Sequence, residues 1–191
     1  MIENKKSYLE YLKADQLANG KANKKLKIWH ILGFGESLWV FLRILRLLEY
    51  IKNCKKGIIW KIYYKFVYYI FTKHSMKLGF SIPINVLGKG ISLPHRGTIV
   101  INSKAKIGDF CKIHVCTNIG GSNGGAPLIG NSVYIAPGAK IFGDIKIADG
   151  IAIGANSVVH KSFEESNISI GGIPSKKISE KGSKGLVPNN A

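Results

Sequence analysis

The sequence predicts a mainly β protein, in which a parallel β-helix follows an α-helical N-terminal region. The main observation is that isoleucine or valine recurs at a spacing of six from Ile101 to Val159, with one interval of ten between Ile119 and Ile129. The residues two positions earlier are mostly small or β-branched. A six-residue period fits neither one α-helix nor a lone hairpin. Three short strands with tight corners form one coil of about 18 residues, and such coils stack strand on strand.

The repeat also predicts which side chains are buried. One face of each short strand points inwards, so the repeating aliphatic residues should fill the interior while their neighbours face solvent. The predicted interior row is Ile101, Ile107, Ile113, Ile119, Ile129, Ile135, Ile141, Ile147, Ile153 and Val159.

The three cysteines are few, and their spacing predicts no metal site. Cys54, Cys111 and Cys116 are odd in number and lack metal-ligand spacing, and Cys111 falls on a small interior position of the repeat. This usage predicts a reducing, cytoplasmic compartment.

Three apolar segments precede the repeat and have helical character. They run from Ser7 to Ala18, from Glu36 to Lys52 and from Gly57 to Met76, and the third is rich in aromatic residues. Each of the last two carries central Arg or Lys, which makes membrane spanning unfavourable. We expect a helical cap that packs on its own β-helix or on a neighbouring subunit. A peripheral contact with an acidic membrane surface is the open alternative, since aromatic residues interleaved with lysine suit an interface.

The charge is strongly basic and uneven. The formal net charge is +17, and residues 1–80 carry 16 Lys and Arg against 5 acidic residues. Such basicity suits an acidic membrane surface, a phosphorylated cofactor or nucleic acid, or it only aids solubility. No nucleic-acid-binding module is recognisable, so no nucleic-acid partner is expected.

The domain organisation predicted from these patterns has three parts. Residues 1–78 form the α-helical region, 79–178 the β-helix domain and 179–191 a flexible C-terminal tail. The long interval of the repeat, Gly120 to Leu128, is predicted to be an excursion on one face, where binding sites are often found.

Five motifs stand out in and around the repeat: Gly88–His95, Thr117–Gly121, Ile135–Ile141, Ile153–Val159 and Gly172–Lys176. They resemble the serine acetyltransferase family of hexapeptide-repeat acyltransferases, especially its short members associated with surface polysaccharides. The resemblance covers roughly Gly79 to Lys177, and it implies a left-handed β-helix, an exception to the usual crossover rule. It also implies acetyl-CoA as co-substrate and a homotrimer with active sites between adjacent solenoids. No metal is expected, since only His95 and His114 are placed to converge.

His95 matches the catalytic histidine of this family. Counting back six from Ile101 places it in the interior row, but Pro94 and Gly97 predict a bulge that turns the ring outwards. A neutral imidazole there can take the proton of an attacking hydroxyl. His114 follows about one coil later and should lie near His95, as an acceptor-binding or proton-relaying residue or as an ordinary exposed one.

The remaining candidate residues concern the thioester substrate. Small side chains at Ala136, Pro137 and Ala155 would let pantetheine lie against the coil, as the resemblance implies. The corner at Gly120 and Gly121 would offer backbone N–H groups to an oxyanion. The basic residues expected at the CoA phosphates are Lys161 and Lys176, which could equally be solvated surface lysines.

Two departures from the family affect the acceptor. Phe80 stands where the family has an aspartate that orients the catalytic histidine, and the stretch Gly124–Pro127 lacks a second histidine. We therefore expect an acetyl-CoA-dependent O-acetyltransferase that acts on a hydroxyl of a sugar or surface-polysaccharide precursor. The alternatives are L-serine O-acetylation in cysteine biosynthesis and a non-catalytic trimeric β-helix scaffold at a membrane.

Overall fold

The computed structural model describes residues 1–20, 37–122 and 124–188. Three helices come first: α1 (Lys5–Ala18), α2 (Ser37–Cys54) and α3 (Ile58–Leu78). Their bounds lie close to the segments predicted from the sequence. The side chain of Asn4 caps α1 by accepting a hydrogen bond from the backbone N–H of Ser7 over 2.9 Å. Gly79, in the left-handed conformation, ends α3 and turns the chain into the first strand.

Short strands fill the rest of the described chain. They are β1 (Phe80–Ser81), β2 (Ile99–Ile101), β3 (Lys106–Ile107), β4 (Lys112–Ile113), β5 (Thr117–Gly120), β6 (Leu128–Ile129), β7 (Tyr134–Ile135), β8 (Lys140–Phe142), β9 (Lys146–Ile147), β10 (Ala152–Ile153), β11 (Val158–Val159), β12 (Ser169–Gly171) and β13 (Lys176–Ser179).

These strands form the three faces of a prism. The first face has the order β1-β2-β5-β8-β11, the second β3-β6-β9, and the third β4-β7-β10-β12-β13. Pairing is parallel throughout, except that β13 returns antiparallel along β12. In the first face Ile101 pairs with Ile119 and Ile119 with Ile141, so the predicted row is in register. The predicted fold class, a parallel β-helix preceded by an α-helical region, is confirmed.

The interior of the prism is the predicted row of aliphatic side chains. Every residue of that row is buried, and so are the small side chains two positions earlier, such as Ala105 and Ala139. Cys111 is buried as predicted, and burial raises the pKa of its thiol to about 12.

The helices close the N-terminal end of the prism around one buried arginine. Arg46 of α2 donates hydrogen bonds to Asp15 of α1 and to Glu49, at 2.8 and 2.9 Å, and to the backbone oxygens of Leu87 and Gly88. On the sequence alone, Arg46 and Glu49 belong to a narrow polar stripe on their helix. The structure places this part of the stripe inside the molecule, where the charges compensate one another.

The helix α3 packs with one side against α2 and β1, while its opposite side is exposed. Within the described ranges, no helix is both long and apolar enough to cross a membrane. The three-part domain division stays a prediction. Ser183, which that division places in the tail, is buried and donates a hydrogen bond from its backbone to the oxygen of Gly150 over 2.9 Å. The tail residues 189–191 lie outside the described part of the chain.

Candidate active site

His95 lies at the corner where the third face turns into the first face. Its side chain is exposed, as the flanking Pro94 and Gly97 predict. The same corner of each later coil stacks directly on it through backbone hydrogen bonds. Cys116 donates to the oxygen of Thr98 over 2.6 Å, Gly138 to Val115 over 3.0 Å, and Asn156 to Pro137 over 2.9 Å. We name this stack, residues 95–98, 114–116, 136–138 and 154–156, the histidine corner.

His114 lies next to His95 at the histidine corner, one coil later. The two ring centroids are 5.9 Å apart, which is the proximity expected from the sequence spacing. On its other side the His114 ring meets the edge of Tyr134, with the centroids 5.2 Å apart. Its Nε2 atom is buried, and no group in the described part of the chain forms a hydrogen bond with it. A polar molecule bound at this corner could therefore supply the partner that Nε2 lacks.

The surroundings of His114 favour its neutral form. Burial lowers the pKa of this imidazole below its ordinary value of 6.5, and the nearby Lys112 and His95 lower it further. A neutral ring has one nitrogen that accepts a hydrogen bond. At pH 7 the pair at this corner can therefore include an acceptor as well as a donor.

Phe80 occupies the position from which the family aspartate would orient the catalytic histidine. Its side chain is buried, and its ring packs edge-on against Phe41 of α2, with the centroids 5.1 Å apart. The residue has become part of the core between the helices and the first coil. The described ring contact of His95 is with the imidazole of His114, at 5.9 Å between the centroids.

The small residues predicted to contact pantetheine lie on the same corner. Ala136 is buried, and Pro137 and Ala155 are exposed on the two following coils. Their short side chains follow the histidine pair along the stack. The structure therefore brings these three predicted residues to the same corner as the two histidines.

The other candidates lie elsewhere. Gly120, Gly121 and Lys161 lie where the first face turns into the second, which we name the loop corner (residues 102–105, 120–122, 124–127, 142–145 and 160–163). Lys176 is exposed on β13, at the last coil of the third face. A single chain thus does not bring all the predicted residues to one place, because the first face separates the two corners.

The inserted segment at the loop corner folds back on its own chain. Ser122 and Gly125 exchange two backbone hydrogen bonds of 3.0 Å, and Lys104 donates from Nζ to the oxygen of Gly124. The carboxylate of Asp144 fills the space beside Gly125, where a Cβ atom would not fit. Asn123 lies outside the described residues.

Tyr134 was not among the residues predicted from the sequence. A signal was present, because the outward position just before the repeating isoleucine is lysine in four hexads, at 106, 112, 140 and 146, and tyrosine at 134. Tyr134 lies one coil beyond His114 and contacts its ring. Across residues 1–20, 37–122 and 124–188, no group of three His, Cys, Asp or Glu side chains is arranged to hold a metal ion.

Comparisons with known proteins point to one family. A serine acetyltransferase of Synechococcus elongatus is 35% identical over 100 residues, which make up 50% of this chain and 41% of that protein. One of Mycobacterium tuberculosis is 36% identical over 102 residues, or 51% and 44% of the two chains. The match thus spans less than half the length of these curated relatives. No family model matches the chain.

Solved structures agree on the fold. A serine acetyltransferase of Brucella abortus strain S19 superposes with a TM-score of 0.72 at 25% identity, covering 94% of this chain and 72% of that one. Another, solved in complex with CoA, gives a TM-score of 0.66 at 20% identity and bears on the fold alone.

The fold and the stacked corners form a parallel β-helix of the kind found in the solved serine acetyltransferases. The β-helical part of the chain is thus similar, in sequence and in fold, to hexapeptide-repeat acyltransferases of the serine acetyltransferase family.

Proposed function

We propose that the protein is an acetyl-CoA-dependent O-acetyltransferase with His95 as its general base. The observation that supports it best is the pair of histidines at an exposed corner, 5.9 Å apart, in a β-helix related to serine acetyltransferases. His95 is exposed and His114 half-buried, and the small residues of the following coils continue along the same corner. A non-catalytic scaffold would have no need for this arrangement.

The proposed reaction needs one base and no acyl-enzyme. The imidazole of His95 takes the proton of the acceptor hydroxyl as its oxygen attacks the thioester carbonyl carbon. The C–S bond then breaks, and the same imidazole returns the proton to the leaving thiolate. The products are an acetyl ester and free CoA, so atoms and charge balance without a further reactant.

The remaining candidate residues receive supporting roles in this proposal. Ala136, Pro137 and Ala155 would hold the pantetheine arm, and Lys161 and Lys176 would meet the phosphates as point charges. Backbone N–H groups at Gly120 and Gly121 would stabilise the oxyanion. Because the histidine corner and the loop corner lie apart in one chain, a complete site would need the loop corner of a second subunit. We therefore include a homotrimer in the proposal, and a cytoplasmic location, where acetyl-CoA is made.

L-Serine is the acceptor that we propose first, because the curated relatives are named serine acetyltransferases. A sugar hydroxyl is the second candidate, and one observation favours it. Phe80 and the loop at 124–127 lack the two polar groups that the resemblance leads us to expect at a serine site, and Phe80 is locked in the core. His114 and Tyr134 then offer a polar and an aromatic surface of the kind that sugar rings contact.

Release of the CoA thiol from acetyl-CoA tests the proposal. The purified protein is incubated with L-serine, with a panel of sugars and nucleotide sugars, and with no acceptor. Thiol release that depends on L-serine supports the first acceptor, and release only with a sugar supports the second. If acetyl-CoA binds but none of the tested acceptors causes thiol release, the acceptor belongs to another chemical class. Absence of both binding and release would overturn the enzymatic proposal in favour of a scaffold.

A further inference from the structure

The helix α3 has an apolar outer side that nothing in the described chain covers. Its inner side, with Val67, Phe71 and Leu78, is buried against α2 and β1. The outer side carries Ile62, Phe66, Tyr69 and Met76, which are 61–72% exposed. Globular proteins seldom expose a continuous patch of large apolar side chains without a binding role.

The outer side of α3 is also strongly basic. Residues 55–77 contain six lysines and no acidic residue. Lys65 and Lys73 are exposed and lie among the apolar side chains of the outer side. The ammonium group of Lys73 lies 5.4 Å from the centre of the Tyr69 ring. A partner must therefore accept apolar side chains and provide negative charge along the same helix.

We propose that this outer side of α3 rests on an anionic lipid surface. A helix of 21 residues is about 31 Å long, so it could lie flat in the headgroup region with its aromatic rings at the acyl boundary and its lysines among the headgroups. Charge argues against a second copy of this chain as the occupant. Two copies would bring two sets of lysines together with no acidic residue to offset them.

The orientation of the helix agrees with this partner. The inner side of α3 faces the cap at the N-terminal end of the prism, so the outer side points away from the solenoid. The C-terminal end of α3 adjoins the histidine corner, because the backbone N–H of Gly97 donates to the oxygen of Leu78 over 3.0 Å.

Co-sedimentation with lipid vesicles tests the proposal. Vesicles of phosphatidylcholine with about one third phosphatidylglycerol should pellet the protein at low salt, and pure phosphatidylcholine vesicles should not. Raising the salt concentration should release it, because the attraction is screened. Trp60, at the start of the helix, should show a fluorescence blue shift on binding.

Two double variants and a matched control separate the contribution of the lysines to vesicle binding from that of the aromatic side chains. Lys65→Gln/Lys73→Gln should weaken partitioning about 25-fold, since each lysine near an anionic surface contributes about fivefold. Lys181→Gln/Lys184→Gln removes the same charge from exposed positions near the C-terminus and should change partitioning less than twofold. Phe66→Ser/Tyr69→Ser should abolish the blue shift and most binding. All these positions are exposed, so the melting temperature should stay close to that of the wild type.

Three results would overturn the proposal. One is equal recovery of the wild type in the supernatant with and without anionic vesicles. Another is equal weakening by both lysine pairs with no effect of Phe66→Ser/Tyr69→Ser, which would indicate general attraction to any polyanion. The third is a fall in oligomer mass in Phe66→Ser/Tyr69→Ser without vesicle binding by the wild type, which would make a second copy the occupant.

Discussion

The guanidinium of Arg46 donates a hydrogen bond from Nε to Oδ2 of Asp15 over 2.8 Å, and both side chains are buried. Asp15 also accepts the backbone N–H of Ile91 through Oδ1 over 3.0 Å. This one carboxylate therefore connects α1, α2 and the first coil of the β-helix. The connection leads to the first prediction.

Asp15→Ala should lower the free energy of unfolding by about 3–5 kcal/mol, because it leaves a buried arginine with half of its charge compensation. Urea unfolding followed by circular dichroism measures the change. Glu10→Ala removes an exposed carboxylate from the same helix and should cost less than about 0.5 kcal/mol. Equal losses of unfolding free energy in the two variants would show that the buried pair of Asp15 and Arg46 stabilises the protein no more than an exposed carboxylate does.

His95→Ala should lower kcat about 10²–10⁴-fold, because a general base typically contributes this much. The dissociation constant of acetyl-CoA, measured by calorimetry, should stay within about threefold, since the residues proposed to hold it lie on later coils. Activity within threefold of the wild type, with any acceptor that the intact enzyme uses, contradicts the assignment of His95. His114→Ala should instead raise the KM for the acceptor if the ring binds it, or lower kcat if it relays a proton. We expect the rise in KM.

The imidazole of His114 should titrate below pH 6.5 in the folded protein. Burial lowers its pKa first, and Lys112 and His95 lower it further. The folded state thus favours the neutral ring, so this residue contributes stability that is present above pH 6.5 and is lost as the pH falls below that value. NMR titration of the histidine Cε1–H signals measures the pKa. Lys112→Gln should raise it, whereas Lys146→Gln, an outward lysine on another face, should not. Titration of His114 at or above 6.5 would contradict the prediction.

The thiols of Cys111 and Cys116 should react at different rates. Burial raises the pKa of Cys111 to about 12, so almost none of it is thiolate at pH 8, whereas Cys116 is exposed. Native protein treated with a disulfide reagent at pH 8 should lose Cys116 first and Cys111 only after urea is added. Cys116→Ser should remove the fast phase. Fast modification of Cys111 without urea would mean that the interior of the coil opens under native conditions.

The mass in solution should be about three times the 21.0 kDa of one chain. The physical reason is that the histidine corner and the loop corner of one chain are separated, so a site that uses both must form between chains. Sedimentation velocity at micromolar concentration measures the mass. A fully active single chain would show that the loop corner takes no part in the site.

The sequence could predict the β-helix because its repeat is local. The buried position of residues such as Ile107 and Ile129 depends on only a few residues nearby in the sequence. The same pattern recurs in every coil. The outward turn of His95 was predictable for the same reason, since Pro94 and Gly97 adjoin it. Its neighbour His114 followed from the length of one coil.

The helical cap could be predicted only in outline. The partners of Arg46 are Asp15, 31 residues earlier, and the oxygens of Leu87 and Gly88, more than 40 residues later. No periodicity connects these positions, so the sequence shows the arginine only as part of a narrow polar stripe on its helix. Tyr134 was missed because a single aromatic residue in an outward position carries little weight before its neighbours are known.

The network around Arg46 also bears on self-association. The first coil of any β-helix has one row of backbone groups with no coil before it, which is a template for another chain. Here the carbonyls of Leu87 and Gly88 are taken by Arg46, and the N–H groups of Asn85 and Ile91 by Glu49 and Asp15. These charged side chains therefore prevent another strand from pairing with the first coil. A chain without α1 would leave part of that row of backbone groups free, and copies of it could polymerise end to end.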